Sequence, residues 1–301
     1  LFNAADHEFM ARALRLARKG LFTTTPNPRV GCVLVKDGAV VGEGWHARAG
    51  TPHAEIHALK AAGAAARGAT AYVTLEPCSH HGRTPPCAEA LVNARVGRVA
   101  AAMTDPNPLV AGGGISMLTL AGIEAEVGLM EAEARALNPG FISRMTRQRP
   151  WVRLKTASTL DGKTALANGA SQWITGEAAR ADVQKLRARA CAILTGSGTV
   201  LADNPRMNVR DFDIGRQPLR VIVDSALRTP ASAAILPALV ACHHAAPDSR
   251  TALEASGAEV ITLPGANGQV DLAALLTLLA QRGVNELHVE AGARLNGALL
   301  A

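Results

Sequence analysis

The sequence has 301 residues, 48% of them hydrophobic and 19% charged, which excludes a disordered chain and predicts two folded domains. The longest nearly unbroken apolar run, from Leu272 to Ala280, is far shorter than the ~20 residues of a membrane-spanning helix, so we expect no membrane partner. A net charge of +6 would suit nucleic acid or a small anion, but 3% aromatic residues offer little surface for stacking bases. We therefore favour a small anionic partner and expect no nucleic acid.

Five cysteines are present, and an odd number without an export signal argues against a disulfide framework. The N-terminal segment is charged throughout and lacks the apolar core of a signal peptide. We therefore expect a cytoplasmic protein with reduced thiols, some of which are metal ligands. The cysteines are Cys32, Cys78, Cys87, Cys191 and Cys242.

Strands and helices are expected to alternate along the first half of the chain. Apolar residues at helical spacing predict an amphipathic helix over residues 8–19, and apolar runs on either side of Lys36-Asp37-Gly38 predict a β-hairpin. There follow a helix over 53–66, the strand AYVTL, the helix CAEALVNAR, the strand RVAAAM and the helix ISMLTLAG. This alternation predicts an α/β fold in which helices cover the sheet.

The polar and basic segment RMTRQRP, residues 144–150, is interpreted as a domain boundary because it has no apolar period and ends in proline. Beyond it we predict helices near 177–189, 249–256 and 271–282 and the strands WVRLKTA, AILTG, LRVIVD, ALVA, EVITL and ELHVEA. We therefore expect two α/β domains, residues 1–146 and 147–301. Because the sequence ends inside an apolar helix, we expect the second domain to be incomplete.

One histidine and two cysteines are expected to form a zinc site. His53 opens a predicted helix, Cys78 follows a strand, and Cys87 begins the next helix. One imidazole and two thiolates suit Zn²⁺ and leave a fourth tetrahedral position open, which is typical of a catalytic site. Glu55 follows closely on His53 and is placed to move protons without binding the metal. The pattern is typical of zinc deaminases, although the longer segment SHHGRTPP separates the cysteines here.

Two other interpretations of this pattern remain open at this point. Buried free thiols are common and the tripeptide HAE occurs by chance, so the three residues could be unrelated. A structural zinc site with a fourth protein ligand, such as His80 or His81, is the second alternative. We favour the catalytic site because the ligands occur together in a strand–loop–helix context.

Other polar residues are candidates for contact with a substrate. His46 follows a strand and His80 lies between the two cysteines, whereas Asn27 alone would be interpreted as a turn residue. The segment TGSGTVLAD lacks the third glycine of GxGxxG and is interpreted as a different phosphate cradle at a helix start. Arg187 and Arg210 are candidate partners of a phosphate, since guanidinium groups bind oxyanions bidentately.

The motifs of both halves resemble those of one family, the bifunctional deaminase/reductase of riboflavin biosynthesis. TTTPNPRVGCVLV, HAEIHAL, TLEPCSHHGRTPPC and MTDPNPLVAGGG resemble its deaminase half, and KTASTLDGKTA, SQWITG, LTGSGTVLADNP and VEAGARLNGALL resemble its reductase half. The resemblance implies a cytidine-deaminase-like α/β/α domain followed by a dihydrofolate-reductase-like α/β domain. It also implies Zn²⁺ and NADPH as cofactors and a homo-oligomer.

The implied reactions act on a phosphorylated pyrimidine. The first is hydrolytic loss of the 2-amino group from 2,5-diamino-6-ribosylamino-4(3H)-pyrimidinone 5′-phosphate. The second is NADPH-dependent reduction of the ribosyl group to ribityl. The alternative is a nucleobase or tRNA deaminase with an accessory domain, which we disfavour because it leaves the second α/β domain unexplained and the short cysteine spacing is absent.

Matched position by position, the resemblance implies a role for individual residues. It implies that His53, Cys78 and Cys87 hold zinc and that Glu55 shuttles protons. The implied deaminase substrate contacts are Asn27, His46, His80, Arg83 and Asp105, the last of which is equally well explained as a turn residue. The implied cofactor positions of the reductase are Ala157, Trp173, Thr199, Asp203, Ser225 and Gly292. Its implied substrate positions are Lys155, Ser171, Arg187, Met207, Arg210 and Glu290.

Overall fold

The computed structural model describes residues 2–80, 85–210 and 213–301. The chain divides into two compact units, Leu1–Arg147 and Gln148–Ala301. Each unit contains one β-sheet with helices packed against it. Within the described ranges, no helix is both long enough and apolar enough to span a membrane.

The first unit contains five strands and six α-helices among its described residues. The strands are β1 Gly31–Lys36, β2 Ala39–Trp45, β3 Thr70–Val73, β4 Arg98–Ala101 and β5 Glu124–Val127. The helices are α1 Ala4–Arg18, α2 Ala54–Ala62, α3 Cys87–Asn93, α4 Gly113–Leu120, α5 Glu131–Leu137 and α6 Pro139–Arg147.

The sheet of the first unit has the strand order β2-β1-β3-β4-β5. The hairpin partners β1 and β2 are antiparallel, β1 is also antiparallel to β3, and the remaining pairs are parallel. Asp37 and Gly38 both have positive φ angles, which is the two-residue turn that suits a twisted hairpin. Buried apolar side chains from α1, α2, α3 and the central strands form one core cluster.

The first helix begins before the predicted residue 8. The Asn3 side chain accepts a hydrogen bond from the backbone N–H of Asp6, and the Asp6 carboxylate accepts one from the backbone N–H of Asn3. This reciprocal capping satisfies N–H groups that the first turn leaves unpaired, so α1 starts at Ala4. Met10 and Leu14 then bury the apolar face of the helix.

Helix α2 lies directly on strand β2 because two glycines leave room for it. A Cβ atom at Gly42 would overlap the carbonyl oxygen of Ala58, and one at Gly44 would overlap that of Ala54. Only glycine permits this approach of helix to strand. The N-terminus of α2, with the predicted zinc ligand His53 as its cap, is therefore fixed relative to the sheet.

The second unit contains six strands and five α-helices among its described residues. The strands are β6 Trp151–Lys155, β7 Ala192–Gly196, β8 Leu219–Val223, β9 Leu239–Cys242, β10 Glu259–Thr262 and β11 Glu286–Glu290. The helices are α7 Glu177–Arg189, α8 Ser197–Asp203, α9 Pro247–Ala255, α10 Leu272–Gln281 and α11 Ala293–Leu300.

The strand pairs of the second sheet are all parallel, in the order β10-β9-β8-β7-β11-β6. Parallel strands end at the same edge, where open α/β sheets bind their ligands. Lys155, the last residue of β6, pairs with Glu290, the last residue of β11. Two predicted substrate positions are thus neighbours at this carboxyl edge.

The predicted boundary segment 144–150 is partly helical, because α6 continues to Arg147. Phe141 is buried and Met145 packs against the same core, so the helix has an apolar face. A window that starts at residue 144 contains only Met145 from that face, and the period is therefore not visible in it. The predicted helix over 53–66 is also divided: its α-helical part ends at Ala62 and a 3₁₀ turn, Gly63–Ala66, follows.

Asp6 also ties helix α1 to strands β3 and β4 of the first sheet. Its carboxylate, 3% exposed, accepts hydrogen bonds from the Arg98 guanidinium at 2.7 Å and from the Tyr72 hydroxyl at 2.8 Å. Burial acts to raise the pKa of Asp6, but the bonds from Arg98, the Asn3 backbone and Tyr72 outweigh it and lower that pKa to about 2. The ionised form is therefore favoured in the folded protein.

We expect Asp6→Asn to be less stable than the wild type by about 2 kcal/mol near neutral pH. The stabilisation by ionised Asp6 is complete above the pKa of an unfolded Asp, about 4, and is lost as pH falls towards 2. The difference between the two proteins should therefore shrink between about pH 4 and pH 2. Urea unfolding over this pH range checks it.

The matched control is Asp37→Asn, in the exposed hairpin turn, which should change stability by less than about 0.5 kcal/mol. A stability difference for Asp6→Asn that stays constant from neutral to acid pH would contradict the role given to its charge.

Candidate metal centre and second cavity

Three predicted metal ligands converge at one end of the first sheet. His53 caps the N-terminus of α2, Cys87 is the first residue of α3, and Cys78 lies in the segment that follows β3. The His53 Nδ1 atom lies 3.7 Å from Cys78 Sγ and 3.3 Å from Cys87 Sγ. The three donor atoms all lie within 4.8 Å of one another.

The chemistry of this donor set fits zinc. One imidazole nitrogen and two sulfurs are preferred zinc ligands, and three protein ligands leave one tetrahedral position for water or substrate. Among the described residues no fourth His, Cys, Asp or Glu joins the group. The backbone N–H of Cys87 donates to Cys78 Sγ at 3.3 Å, and the thiol of Cys87 and the His53 ring further lower the pKa of Cys78. Thiolate is the form that binds metal.

Glu55 lies beside the three donors, in the first turn of α2. Its side chain is buried, with the residue 3% exposed, and its Oε2 atom has no hydrogen-bond partner among the residues that the structure describes. Burial raises the pKa of Glu55 to about 7. A buried carboxylate with an unpaired oxygen is suited to accept and return a proton.

A cavity of ≈ 270 Å³ opens onto this cluster. His53, Glu55 and Cys78 line it. So do four of the predicted substrate contacts, namely Asn27, His46, His80 and Asp105. The fifth, Arg83, and the alternative ligand His81 lie outside the described residues. Lining residues that the sequence analysis did not single out are Pro28, Val30, Leu75, Glu76, Asn107, Val110 and Phe141.

His46 is held in one orientation by two hydrogen bonds. Its Nδ1 atom lies 3.2 Å from the carbonyl oxygen of Pro52, which can only accept, so Nδ1 carries the proton. Its Nε2 atom then accepts from the Asn27 amide at 3.0 Å. Burial lowers the pKa of His46, which favours this neutral form. The imidazole also packs edge-on against the His53 ring, with centroids 5.1 Å apart.

Asp105 lies in the loop between β4 and α4. Its Oδ1 atom accepts from the backbone N–H of Asn107 at 2.8 Å, which is the turn interaction foreseen for it. It also lines the cavity, so the turn role and a substrate contact are compatible. Burial raises the pKa of Asp105.

A second cavity, of ≈ 830 Å³, lies in the second unit at the carboxyl edge of its sheet. Its lining includes all six predicted reductase substrate positions and five of the six predicted cofactor positions. Ser225 is the exception: it follows β8, and its hydroxyl donates to Gln269 Oε1 at 3.4 Å. Further lining residues that the sequence did not signal include Arg180, whose guanidinium lies 4.5 Å from the Trp173 ring centroid, and Arg206.

Arg187 and Glu290 form a two-bond ion pair inside this cavity. Arg187 Nε donates to Glu290 Oε1 at 2.6 Å and Nη2 donates to Oε2 at 2.9 Å. Burial acts to raise the pKa of Glu290, but the His288 ring and the Arg187 guanidinium outweigh it and lower that pKa to about 2. The charge of Arg187 is therefore balanced by Glu290, whereas Arg206 and Arg210 are exposed on the cavity wall.

The residues of the second cavity fit a phosphorylated cofactor beside a substrate. Its volume lies in the upper part of the range of ligand pockets. Lys155, Arg206 and Arg210 supply positive charge for phosphate groups. Gly198 and Gly292 have open space where a Cβ would stand, so the backbone at these helix starts is accessible.

Two family models match the chain, one for each unit. The cytidine and deoxycytidylate deaminase zinc-binding region matches residues 3–103, and the RibD C-terminal domain matches residues 150–301. The matched regions contain the three-ligand cluster and the second cavity, respectively. The fold and the site together define a zinc-dependent deaminase joined to a reductase.

Curated relatives match over nearly the full chain. Riboflavin biosynthesis protein RibD of Escherichia coli K12 is 51% identical over 309 residues, which cover 98% of this chain and 84% of the relative. The RibD protein of Haemophilus influenzae is 50% identical over 313 residues, covering 99% and 83%. The chain belongs to the RibD family.

Solved structures agree with this assignment. A structure of Acinetobacter baumannii RibD superposes with a TM-score of 0.90 at 48% identity, covering 98% of this chain and 83% of that one. The Thermotoga maritima diaminohydroxyphosphoribosylaminopyrimidine deaminase/5-amino-6-(5-phosphoribosylamino)uracil reductase gives 0.87 at 37% identity with the same coverage. The expected α/β fold class and bifunctional family are confirmed. The protein is a deaminase and reductase of riboflavin biosynthesis that uses Zn²⁺ and NADPH.

We expect Cys87→Ala and His53→Ala to lose zinc. A site reduced to two protein ligands should bind the ion at least ~100-fold more weakly, so little metal should survive desalting. Zinc per chain, measured by atomic emission on the purified protein, checks this.

The matched control is Cys242→Ala, a buried free cysteine of the second unit, which should keep the zinc content of the wild type. Full zinc occupancy in Cys87→Ala would show that the ion is held elsewhere.

Proposed function

We propose that the first unit removes the 2-amino group from 2,5-diamino-6-ribosylamino-4(3H)-pyrimidinone 5′-phosphate by hydrolysis. We further propose that the second unit reduces the ribosyl group of the product to ribityl. The name of the Thermotoga maritima neighbour, a deaminase and reductase of such compounds, supports the substrate class. The observation that carries the first step is the cluster His53, Cys78 and Cys87, onto which a cavity lined by buried Glu55 opens.

In this proposal His53 Nδ1 and the sulfurs of Cys78 and Cys87 hold the zinc ion. Bound zinc supplies a Lewis acid that makes water nucleophilic at neutral pH. Both thiols are held in place by their own elements, because Cys87 opens α3 and its backbone N–H donates to Cys78. The protein therefore provides the three donors without rearrangement of the backbone.

Glu55 is proposed to carry the protons of the deamination. Its Oε2 atom would take a proton from the attacking water and return it to a ring nitrogen of the substrate. It would then move the proton of the new hydroxyl group to the amino group, so that the C–N bond breaks, ammonia leaves and the carbonyl forms. The burial of the carboxylate supports this role, and so does its Oε2 atom, which accepts no hydrogen bond from the described residues and is left to exchange a proton.

The remaining cavity residues are proposed to orient the pyrimidine. The fixed ring of His46 and the amide of Asn27 present defined polar atoms to the cavity. His80 and Asp105 lie on its wall and offer further contacts. We also expect Arg83, which the resemblance implies, to contact the substrate.

The reductase step is proposed to take place in the second cavity. NADPH supplies the hydride, so the protein must hold the nicotinamide against the sugar carbon. Lys155 is proposed to bind the ribose hydroxyls, and Glu290 is its neighbour across the paired strands. Arg210 and Arg187 are proposed to bind the phosphate, with Ser171 and Met207 lining the same site. The proposed cofactor contacts are Ala157, Trp173, Thr199, Asp203, Ser225 and Gly292.

We propose that residues 1–146 and 147–301 act as the deaminase and reductase domains of a cytoplasmic homo-oligomer. Five free cysteines, two of them needed as thiolate ligands, suit a reducing compartment. No observation favours the nucleobase or tRNA deaminase alternative, which does not account for the second unit.

We expect Glu55→Gln to lower kcat for ammonia release by roughly 10²–10⁴-fold while zinc content is unchanged. The amide keeps the shape of the side chain but cannot accept and return a proton. Ammonia release from the diaminopyrimidinone ribonucleotide, measured beside zinc content, checks this.

Glu131→Gln, which removes a carboxylate from a half-exposed surface ion pair in the same unit, is the matched control and should retain activity. Wild-type turnover by Glu55→Gln would contradict the proposed role of Glu55 in proton transfer. Absence of ammonia release by the zinc-loaded wild type would show that the diaminopyrimidinone ribonucleotide is not the substrate.

We expect Lys155→Met to lower kcat/KM for reduction of the deaminated product by roughly 10²-fold, because a charged donor to the sugar is lost. Ammonia release by the first unit should stay unchanged. NADPH oxidation, followed by absorbance, checks this. The control is Lys185→Met, an exposed lysine on α7, and equal losses in both variants would contradict the role of Lys155.

A further inference from the structure

We propose that Glu76 is a positioning residue of the deaminase site, which holds the loop carrying Asp105 against the segment carrying Cys78. The inference rests on the proposed deamination, because Asp105 is taken there as a substrate contact. Glu76 lies two residues before Cys78, in the segment TLEPCSHHGRTPPC, and residue type alone does not indicate a role for it. The observation that carries it is an unusual concentration of backbone hydrogen bonds on one carboxylate.

The Glu76 carboxylate accepts four backbone hydrogen bonds. Its Oε2 atom accepts from the N–H groups of Asp105 and Gly112, both at 3.0 Å. Its Oε1 atom accepts from Gly114 at 2.9 Å and from Ile115 at 3.3 Å. Glu76 is 3% exposed, so its charge is compensated by these N–H dipoles rather than by water.

The four donors belong to the two ends of a single loop. Asp105 stands at the start of the loop, while Gly112, Gly114 and Ile115 stand at its end and in the first turn of α4. One side chain therefore closes the loop. The Glu76 backbone N–H also donates to the carbonyl of Met103 at 2.9 Å, which ties the same residue to the segment entering the loop.

The end of the loop also lies directly against the segment that carries the metal ligand. A Cβ atom at Gly114 would overlap the carbonyl oxygen of Pro77, and one at Gly113 would crowd the Ser79 side chain. Pro77 and Ser79 flank Cys78. The Glu76 bonds thus hold the start of α4 against the segment 77–79, at a separation that only glycine allows. The proposed metal ligand Cys78 lies in that segment.

The position of Asp105 follows from this arrangement. Asp105 and Asn107 both line the cavity, and the Asp105 carboxylate is already tied to the Asn107 backbone. Release of the Asp105 N–H from Glu76 would free the start of the loop and move both polar side chains. The zinc donors His53 and Cys87 lie on other elements and are not part of this network.

The sharpest variant is Glu76→Gln, which keeps the side-chain shape. An amide presents one oxygen and one NH₂ group, and the NH₂ group faces N–H donors instead of accepting from them. The loop therefore loses either the bonds from Asp105 and Gly112 or those from Gly114 and Ile115. The matched control is Glu133→Gln, an exposed glutamate of α5 in the same unit.

Hydrogen exchange tests the structural part without reference to activity. In the wild-type protein, we expect the amides of Asp105, Gly112, Gly114 and Ile115 to be protected. In Glu76→Gln, peptides covering 105–115 should exchange at least ~10-fold faster, whereas peptides of β1 and β2 keep wild-type protection. Unchanged exchange over 105–115, or equal acceleration over β1 and β2, would overturn the proposal.

Kinetics test the functional part. We expect Glu76→Gln to raise KM for the diaminopyrimidinone ribonucleotide about tenfold, the size of one lost substrate hydrogen bond, with full zinc content and kcat within about threefold. The KM of the double variant with Asp105→Asn should match that of Asp105→Asn alone within about twofold. A merely structural loss would lower kcat through less folded enzyme and leave KM unchanged.

Two kinetic results would overturn the proposal: a kcat loss without a change in KM, or effects of Glu76→Gln and Asp105→Asn on KM that multiply. Failure of the proposed deamination itself is distinguishable, because it appears as missing ammonia release in the wild type. In that event the exchange of 105–115 still decides whether Glu76 holds the loop.

Discussion

The deaminase site depends on the direct packing of helix α2 on strand β2. Gly42 and Gly44 allow the helix backbone to touch the strand, and this contact fixes the N-terminus of α2 against the sheet. His53 caps that terminus and Glu55 lies in its first turn, so one contact sets the place of both a proposed metal donor and the proposed proton carrier. A larger residue at either glycine would overlap the backbone of α2 and displace the helix that carries both side chains.

The thiol ligands are positioned by a second constraint, at the other side of the cavity. Cys87 opens α3, and its backbone N–H donates to the sulfur of Cys78. Backbone N–H groups orient both acceptors, one bonding to the Cys78 sulfur and four to the Glu76 carboxylate. Among the described residues, backbone donors therefore hold both the Cys78 sulfur and the Glu76 carboxylate in place.

Sequence reasoning predicted those parts of the fold and site that are encoded locally. Except for β5, which no sequence pattern indicated, the strands follow from periodicity, as do most helices. Residue type and context predict His53, Cys78 and Cys87 as metal ligands, and their donor atoms lie within 4.8 Å of one another. Helix α1 starts at Ala4 and not at the predicted residue 8, because a capping box precedes the residues with apolar periodicity. Helix α6 was missed because most of its apolar face lies outside the segment read as a boundary.

Contacts between residues far apart in the sequence could not be predicted from local sequence patterns. Glu76 bonds to amides 29 to 39 residues away, and Arg187 pairs with Glu290 at a separation of 103 residues. Neither arrangement leaves a local pattern, because a backbone N–H has no residue-type signature and an isolated arginine is usually solvated. Both contacts depend on the folded sheets, which bring these distant segments together.

The central claim is that zinc is held by one nitrogen and two sulfur donors of the protein, with one position open. X-ray absorption at the zinc edge of the purified protein tests it most directly. We expect two sulfur neighbours at about 2.3 Å and one imidazole nitrogen at about 2.0 Å, with a fourth light atom that is replaced when a substrate analogue binds. A third sulfur, or a second imidazole that no analogue displaces, would contradict it and identify a structural site instead.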